Sequence, residues 1–493
     1  MSIRIARRTR RAPEHARRTL LRPLGIVGYD AIEPAILAAL ASEEPLLLVS
    51  DHGAAKTLLL VRLAQALDLE LRHYNASLLQ FDDLAGFPVP DERGGIRYAS
   101  SAGSAWGAQV IFFDEIGRCR PEVANKLFPI VHERRLQGIP LDHLRYRWAA
   151  TNPPPSAQQA DAVYAYDGVE PLDPALADRF AYIVTLPAFA EFSDADRRAV
   201  LAGIGDQVDP TAAGIVRELV HATVALVPTV RSAAGDALVV YADVLIGKLA
   251  EAKLVIGGRR AAMLVRNLVA LRAAHLALGL PADERACLAA VGCSIPDIVR
   301  TPVPRSVLLA AHKAAWRETQ LDDDDPQRLL AAVRDPLRRG LLAMTLPNVD
   351  PFARGDAIVT ALASLPADEG CVLAWHLLPH VLDTTRLPAT VADTVATRVH
   401  DIAEDGVSVR GYGTQRDWAV RVRAGLSQTA IPAGELEYLH GVVAKHSAPR
   451  NQGTGFAPPS ADDVIQRLLQ VRETVQSALG LAHADGPRRA GAA

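Results

Sequence analysis

The 493-residue sequence predicts an α/β fold in which a parallel sheet is covered by helices on both faces, followed by an all-helical remainder. Three observations predict it. Residues 23–190 alternate short apolar runs with segments of helical periodicity, which is how strands joined by helical crossovers read in sequence. Beyond about residue 191 the strand-like runs stop, and Ala- and Leu-rich segments with helical spacing take over. Several apolar runs also end abruptly in polar or charged residues, as strands do where a parallel sheet opens to a ligand.

In order, residues 32–40 read as a helix, 46–49 as a buried strand and 58–67 as a helix. Residues 69–75 and 110–113 read as strands, 121–134 as a helix, and 146–150 and 182–186 as strands. Segments 212–228, 233–251, 258–278 and 305–318 carry apolar residues at helical spacing. The acidic stretch 322–326 reads as a linker, and 327–405 and 433–480 as further helices. Residues 451–460 read as a loop. The expected organisation is a basic arm (1–22), a nucleotide-binding domain (23–190), a helical lid (191–320), a C-terminal helical domain (321–480) and a disordered tail (481–493).

Composition excludes several classes. With 49% hydrophobic residues and charges of mixed sign, the chain is globular. A net charge of −3 argues against nucleic-acid binding through overall charge. Locally, Arg4, Arg7, Arg8, Arg10, Arg11, Arg17, Arg18 and Arg22 face one acid, Glu14. They make either an arm for nucleic acid or an acidic partner, or a solvated terminus. Cys119, Cys287, Cys293 and Cys371 show no C-x-x-C spacing, so neither zinc nor disulfides are expected. No apolar run reaches the ~18–20 residues that span a bilayer, and no apolar core follows the basic N-terminus as in a secretory signal. A cytoplasmic protein without membrane attachment is expected.

The densest signal is at residues 46–57. Leu46, Leu47, Leu48 and Val49 run into a small-residue turn, then Lys56 and Thr57, then a helix from Leu58. Strand, loop, lysine-threonine and helix are the parts of a phosphate-binding loop. Backbone N–H groups of Gly53, Ala54, Ala55 and Leu58 sit where such a loop meets an anion, aided by the helix dipole. The loop departs from G-x-x-x-x-G-K-[ST], with Ser50 and Ala55 at the glycine positions and Asp51-His52 between them.

Three further features follow in order. Val110, Ile111, Phe112 and Phe113 end in Asp114 and Glu115. The first acid can hold Mg²⁺ and the second can act as general base toward water; alternatively they form a solvated turn. Trp148 to Thr151 ends in Asn152-Pro153, where Asn152 either orients water or forms a turn. Arg179, in Asp178-Arg179-Phe180, either reaches a neighbour's nucleotide or pairs with Asp178.

These features in this order resemble the AAA+ ATPases, and within them the MoxR family in its RavA-like branch. The resemblance runs from about residue 25 to 300. It includes Gly25-Ile26-Val27-Gly28, Asp83-Leu84-Ala85-Gly86-Phe87, Asp167 to Leu172 and Gly257-Gly258-Arg259-Arg260-Ala261. It implies an AAA+ P-loop αβα sandwich, an all-α lid and a C-terminal helical domain. It implies ATP and Mg²⁺, with Val27 near adenine, Lys56 on phosphate, Thr57 and Asp114 on Mg²⁺, and Glu115 activating water. Asn152 becomes the first sensor, Arg260 the second, and Arg179 the arginine finger. Glu133-Arg134-Arg135 is either a subunit contact or a surface cluster. The family implies a homo-hexameric ring, chaperone-like remodelling, and a partner with a von Willebrand factor A domain. The altered loop predicts weakened affinity or slow turnover. Two alternatives stand beside this: an ATP-binding scaffold that barely hydrolyses, and an AAA+ motor acting on nucleic acid. Residues 321–493 carry no catalytic constellation; His376, His380, His440, Trp375 and Trp418 read as core or surface.

Overall fold

The computed structural model describes residues 17–90, 95–99, 101–153, 172–295, 303–322, 324–381, 387–404, 414–447 and 460–480. Residues 1–16 of the basic arm, 167–171, 451–459 and the tail lie outside them. The chain divides into two compact units, Met1–Gln320 and Leu321–Ala493.

Among its described residues the first unit has nine strands: β1 (Leu46–Val49), β2 (Leu71–Asn75), β3 (Phe87–Pro90), β4 (Ile96–Ala99), β5 (Val110–Asp114), β6 (Arg135–Leu136), β7 (Ile139–Pro140), β8 (Tyr146–Thr151) and β9 (Tyr182–Thr185). Five of them form one sheet in the order β2-β5-β8-β1-β9, every pairing parallel. β3–β4 and β6–β7 are separate antiparallel hairpins. Its helices are α1 (Glu33–Ser42), α2 (Lys56–Ala66), α3 (Phe81–Ala85), α4 (Pro121–Glu133), α5 (Pro174–Ala177), α6 (Asp194–Leu201), α7 (Ala212–Glu251), α8 (Gly258–Ala277), α9 (Glu284–Ser294) and α10 (Arg305–Glu318).

Why the strand runs are continuously apolar is visible in the core. Successive side chains of a strand point to opposite faces. Leu46 and Leu48 join the core that contains α1, α2 and α7–α10 residues, while Leu47 and Val49 join the core beneath α4. Phe112 and Phe113 divide in the same way. In β1 and β5, covered on both faces, the first polar residue marks where the strand ends.

The strands at 46–49, 110–113, 146–150 and 182–186 are found within one residue of their expected ends. The helical half differs more. The expected segments 212–228 and 233–251 are a single 40-residue helix, α7, with Pro228 inside it. Proline removes one ladder bond, but buried residues on both sides of it, from Leu219 and Thr223 to Val230 and Leu238, keep one continuous stripe against the core. Helices α6 and α9 lie outside the expected segments.

The second unit is helical among its described residues: α11 (Pro326–Ala332), α12 (Pro336–Thr345), α13 (Pro351–Ser364), α14 (Ala367–Val381), α15 (Ala389–Glu404), α16 (Thr414–Ser427), α17 (Ala433–Val442) and α18 (Ala461–Ala478). Helix α16 fills a stretch that the periodicity left unassigned. Three of these helices start the same way. Asp325, Asp335 and Asp350 each cap a helix whose first residue is proline, accepting from the N–H of Gln327, Arg338 and Ala353. The end of the acidic stretch read as a linker is therefore a helix start. His376 is buried against Glu435 at 3.0 Å, and Trp375 stacks on Tyr438, so both are packing residues here.

Candidate functional site

In the sheet order, β5, β8 and β1 are neighbours. The loop after β1, the acids ending β5 and the asparagine after β8 therefore meet at one sheet edge. Thr57 Oγ1 donates to Asp114 Oδ2 at 2.7 Å. Lys56 Nζ donates to Asn152 Oδ1 at 2.8 Å and to the Ser50 and Asp51 carbonyls at 2.8 and 3.1 Å. The Ser50 hydroxyl lies 3.2 Å from the same nitrogen.

Local backbone explains these directions. Gly53 has φ 77°, a left-handed angle that glycine adopts freely. Ala55 has φ 53° and stands just before α2, so the loop keeps its turn with an alanine in the left-handed region. Glu115 also has φ 53°, which turns the chain sharply out of β5 right after Asp114.

The electrostatics are those of an anion and cation site. Burial works against the Asp114 carboxylate. Hydrogen bonds involving His73, Thr57 and the Glu115 N–H outweigh it and hold Asp114 below its usual range. Burial pushes the Lys56 ammonium down, while Asp114, Asp51 and Glu115 oppose the shift. His73 was not singled out in the sequence. It lies 3.5 Å from Asp114 and stacks on Phe112, because β2 runs beside β5. Only the strand order, which the sequence does not carry, reveals it.

Two cavities adjoin across the loop, sharing His52 to Ala55 and Leu58. One, about 430 Å³, contains Lys56, Thr57, Asp114, Glu115 and Asn152. The other, about 540 Å³, is lined by Val27, Tyr29, Leu186, Phe189 and Phe192 among others. Tyr29 ties its wall to the loop through a 2.8 Å bond to the Ala54 carbonyl. Gly28, at φ 84°, lies so close to Phe192 that a Cβ would sit 2.5 Å from the ring. A charged chamber beside a largely apolar one suits a triphosphate joined to a flat base. Asp51 is exposed and borders the apolar chamber, not the one holding Lys56. Thr57 and Asp114 offer hydroxyl and carboxylate oxygens, the hard donors that Mg²⁺ takes, so the residues present fit that ion.

Two arginines lie elsewhere. Arg260, expected on the nucleotide, borders neither chamber and is 2% exposed. Its guanidinium donates to Asp178 at 3.3 Å and to the carbonyls of Phe180, Ala177 and Ser294 at 2.7, 3.2 and 3.3 Å. With that many acceptors it ties α8 to the turn after α5. Arg179 does not pair with Asp178, which faces Arg259 and Arg260 instead. It donates to the Ala175 carbonyl and lies over the Phe128 ring at 4.3 Å. Arg134 approaches Glu43 at 3.8 Å, and Arg135 donates to the Gly138 carbonyl.

Of the basic arm, Arg17, Arg18 and Arg22 fold back onto acids. They meet Asp30, Glu218 and Asp196 at 3.3, 2.9 and 2.7 Å. Among the described residues there is no cluster of metal-ligating His, Cys, Asp and Glu, and no helix long and apolar enough to cross a membrane.

A five-stranded parallel sheet with a lysine-threonine loop after β1, two consecutive acids at the end of β5 and β8 between those strands has the architecture of a nucleotide-binding α/β domain of the AAA+ class. Residues 45–180 match the family model of the AAA domain, dynein-related subfamily. No curated protein matches the chain. A solved structure provisionally described as an ATPase, from Cytophaga hutchinsonii, aligns at 20% identity over 51% of this chain and 77% of that one. Its TM-score of 0.35 is too low to build on.

Proposed function

We propose that this protein hydrolyses ATP in a Mg²⁺-dependent reaction at the C-terminal edge of its sheet. The observation that carries the reading is the meeting of Lys56, Thr57, Asp114, Glu115 and Asn152 in one chamber. ATP places its base in the apolar chamber near Val27 and its phosphates over the loop N–H groups. Lys56 takes up charge on the terminal phosphates. Thr57 and Asp114 would hold Mg²⁺, which would supply positive charge against the phosphate oxygens. Asn152 orients a water, and Glu115 accepts its proton as the water oxygen bonds to the terminal phosphorus. The bond from that phosphorus to the bridging oxygen breaks, releasing ADP and phosphate.

The finer reading is a MoxR-like, RavA-like ATPase that remodels or assembles a partner complex as a cytoplasmic homo-hexamer, with residues 191–320 as its lid. Arg179 fits a role in trans, since it borders neither chamber of its own subunit. A partner with a von Willebrand factor A domain belongs to the same proposal. Phosphate release by the full chain with ATP and Mg²⁺, measured across protein concentrations that change its oligomeric state, tests the whole. Lys56→Ala and Glu115→Gln are expected to abolish it, and unchanged hydrolysis by purified Lys56→Ala protein refutes the assignment.

One observation favours a second reading, an ATP-holding scaffold: Lys56 is fully engaged by the protein itself. Tight ATP binding without phosphate release supports that version. A nucleic-acid motor has less support, because the described arginines of the arm are matched by acids.

A further inference from the structure

We propose that Ser50 is a positioning residue that holds Lys56 away from incoming phosphate, so that nucleotide affinity is set by an exchange between the Ser50 hydroxyl and a phosphate oxygen. The inference rests on the ATP site proposed above.

Ser50 occupies the first glycine position of the G-x-x-x-x-G-K-[ST] pattern. Glycine there would offer only backbone. Ser50 is 6% exposed, and its N–H donates to the Thr151 carbonyl at 3.2 Å, extending the β1–β8 ladder one residue past β1. The ladder fixes the serine backbone and with it the direction of the side chain. The hydroxyl reaches the Asp51 carbonyl at 3.2 Å as donor, which leaves a lone pair for Lys56 Nζ, also at 3.2 Å.

A lysine ammonium has three hydrogens. Here four acceptors surround it: the Ser50 carbonyl, the Ser50 hydroxyl, the Asp51 carbonyl and Asn152 Oδ1. With four acceptors for three hydrogens, the two longest contacts, the Asp51 carbonyl at 3.1 Å and the Ser50 hydroxyl at 3.2 Å, share one hydrogen, and a phosphate oxygen enters by competing with both for it. Two of the four acceptors are loop carbonyls that any residue supplies. Asn152 belongs to the water-orienting machinery. The Ser50 hydroxyl is the acceptor that this sequence adds, and it competes directly with phosphate for the lysine.

Binding of a fluorescent methylanthraniloyl-ATP to the full chain tests this. Ser50→Ala removes the hydroxyl and keeps the backbone. It is expected to lower Kd about tenfold, the scale of one charge-assisted hydrogen bond, chiefly through faster association. Ser50→Thr keeps the hydroxyl and is expected to stay within about twofold of wild type. Ser50→Gly provides the same comparison if Ser50→Ala folds poorly. In a Lys56→Ala background the Ser50→Ala gain is expected to vanish, which a merely structural role would not produce. Unchanged or weaker binding in both Ser50→Ala and Ser50→Gly, with wild type binding normally, overturns this inference and leaves the ATP site standing. Failure of the wild-type chain to bind the nucleotide overturns both.

Discussion

Two cations in the first unit are each surrounded by carbonyl oxygens and a side-chain acceptor, yet they have opposite standing. Lys56, at the start of α2, is half-buried and borders a chamber of about 430 Å³. Arg260, near the start of α8, is sealed between α5, β9 and the end of α9, with its acceptors drawn from Ala177, Asp178, Phe180 and Ser294. The acceptors of Lys56 can be exchanged for a ligand. The Arg260 guanidinium is itself buried and borders neither chamber. The two cations share the kind of partner they have and differ in access to a chamber.

Truncating the sealed cation gives the largest expected effect. Arg260→Ala leaves three carbonyls short of a partner and Asp178 with Arg259 alone. It is expected to cost about 3–5 kcal/mol of stability in denaturant titrations, while the ATP affinity of the protein that remains folded moves little. A large loss of ATP affinity without loss of stability would reverse the contrast and restore Arg260 as a sensor.

Lys56→Ala is the mirror image. Hydrolysis is expected to fall by about 100-fold or more, as removal of a charge-stabilising group does. The melting temperature is expected to hold, because the partners of Lys56 lie beside an open chamber. A stability loss comparable to that of Arg260→Ala would show that Lys56 is scaffold after all.

A third buried ionisable group sharpens the comparison, because among the described residues it has neither an ion-pair partner nor an open chamber. Glu33 is 2% exposed, and one of its oxygens accepts the N–H groups of Leu20 and Leu21, both at 2.8 Å. Burial raises its pKa from 4.5 to about 7, against those two bonds. The folded chain thus holds this proton more tightly than the unfolded chain. The resulting stability is present below pH 4.5 and is lost as pH rises through about 7. Glu33→Gln keeps an acceptor without the charge. The stability difference between wild type and Glu33→Gln is therefore expected to shift by up to about 3 kcal/mol in favour of the variant between pH 4.5 and 8. No shift would mean that Glu33 stays ionised throughout.

The smallest effect concerns Arg179. Its place over Phe128 is worth about 0.5–1 kcal/mol at a partly exposed site. Arg179→Ala is expected to leave stability and ATP binding nearly unchanged. Its effect on hydrolysis is expected only at protein concentrations where subunits assemble, and an equal loss under dilute and concentrated conditions would remove the trans role.

Much of the α/β half was legible because the strands are covered on both faces. Val110 to Phe113 and Leu46 to Val49 leave no polar residue to blur the strand, and Asp114 and Ser50 mark their ends. The grouping of Lys56, Thr57, Asp114 and Asn152 could be anticipated from the order of the motifs. The companions of those residues could not. His73 enters only because β2 lies next to β5, and the partners of Arg260 come from two distant stretches of chain. In the helical regions, periodicity found most segments but not their continuity. Pro228 looked like an end and is the middle of α7.

That helix has a mechanical consequence. Forty residues at 1.5 Å each make a beam roughly 60 Å long. Helices α1, α2, α8 and α10 all pack against it, and α2 begins at Lys56. A small displacement at Lys56, the residue proposed to meet phosphate, therefore acts on one member that the other helices share. Its single interruption, Pro228, is the natural place for that beam to flex.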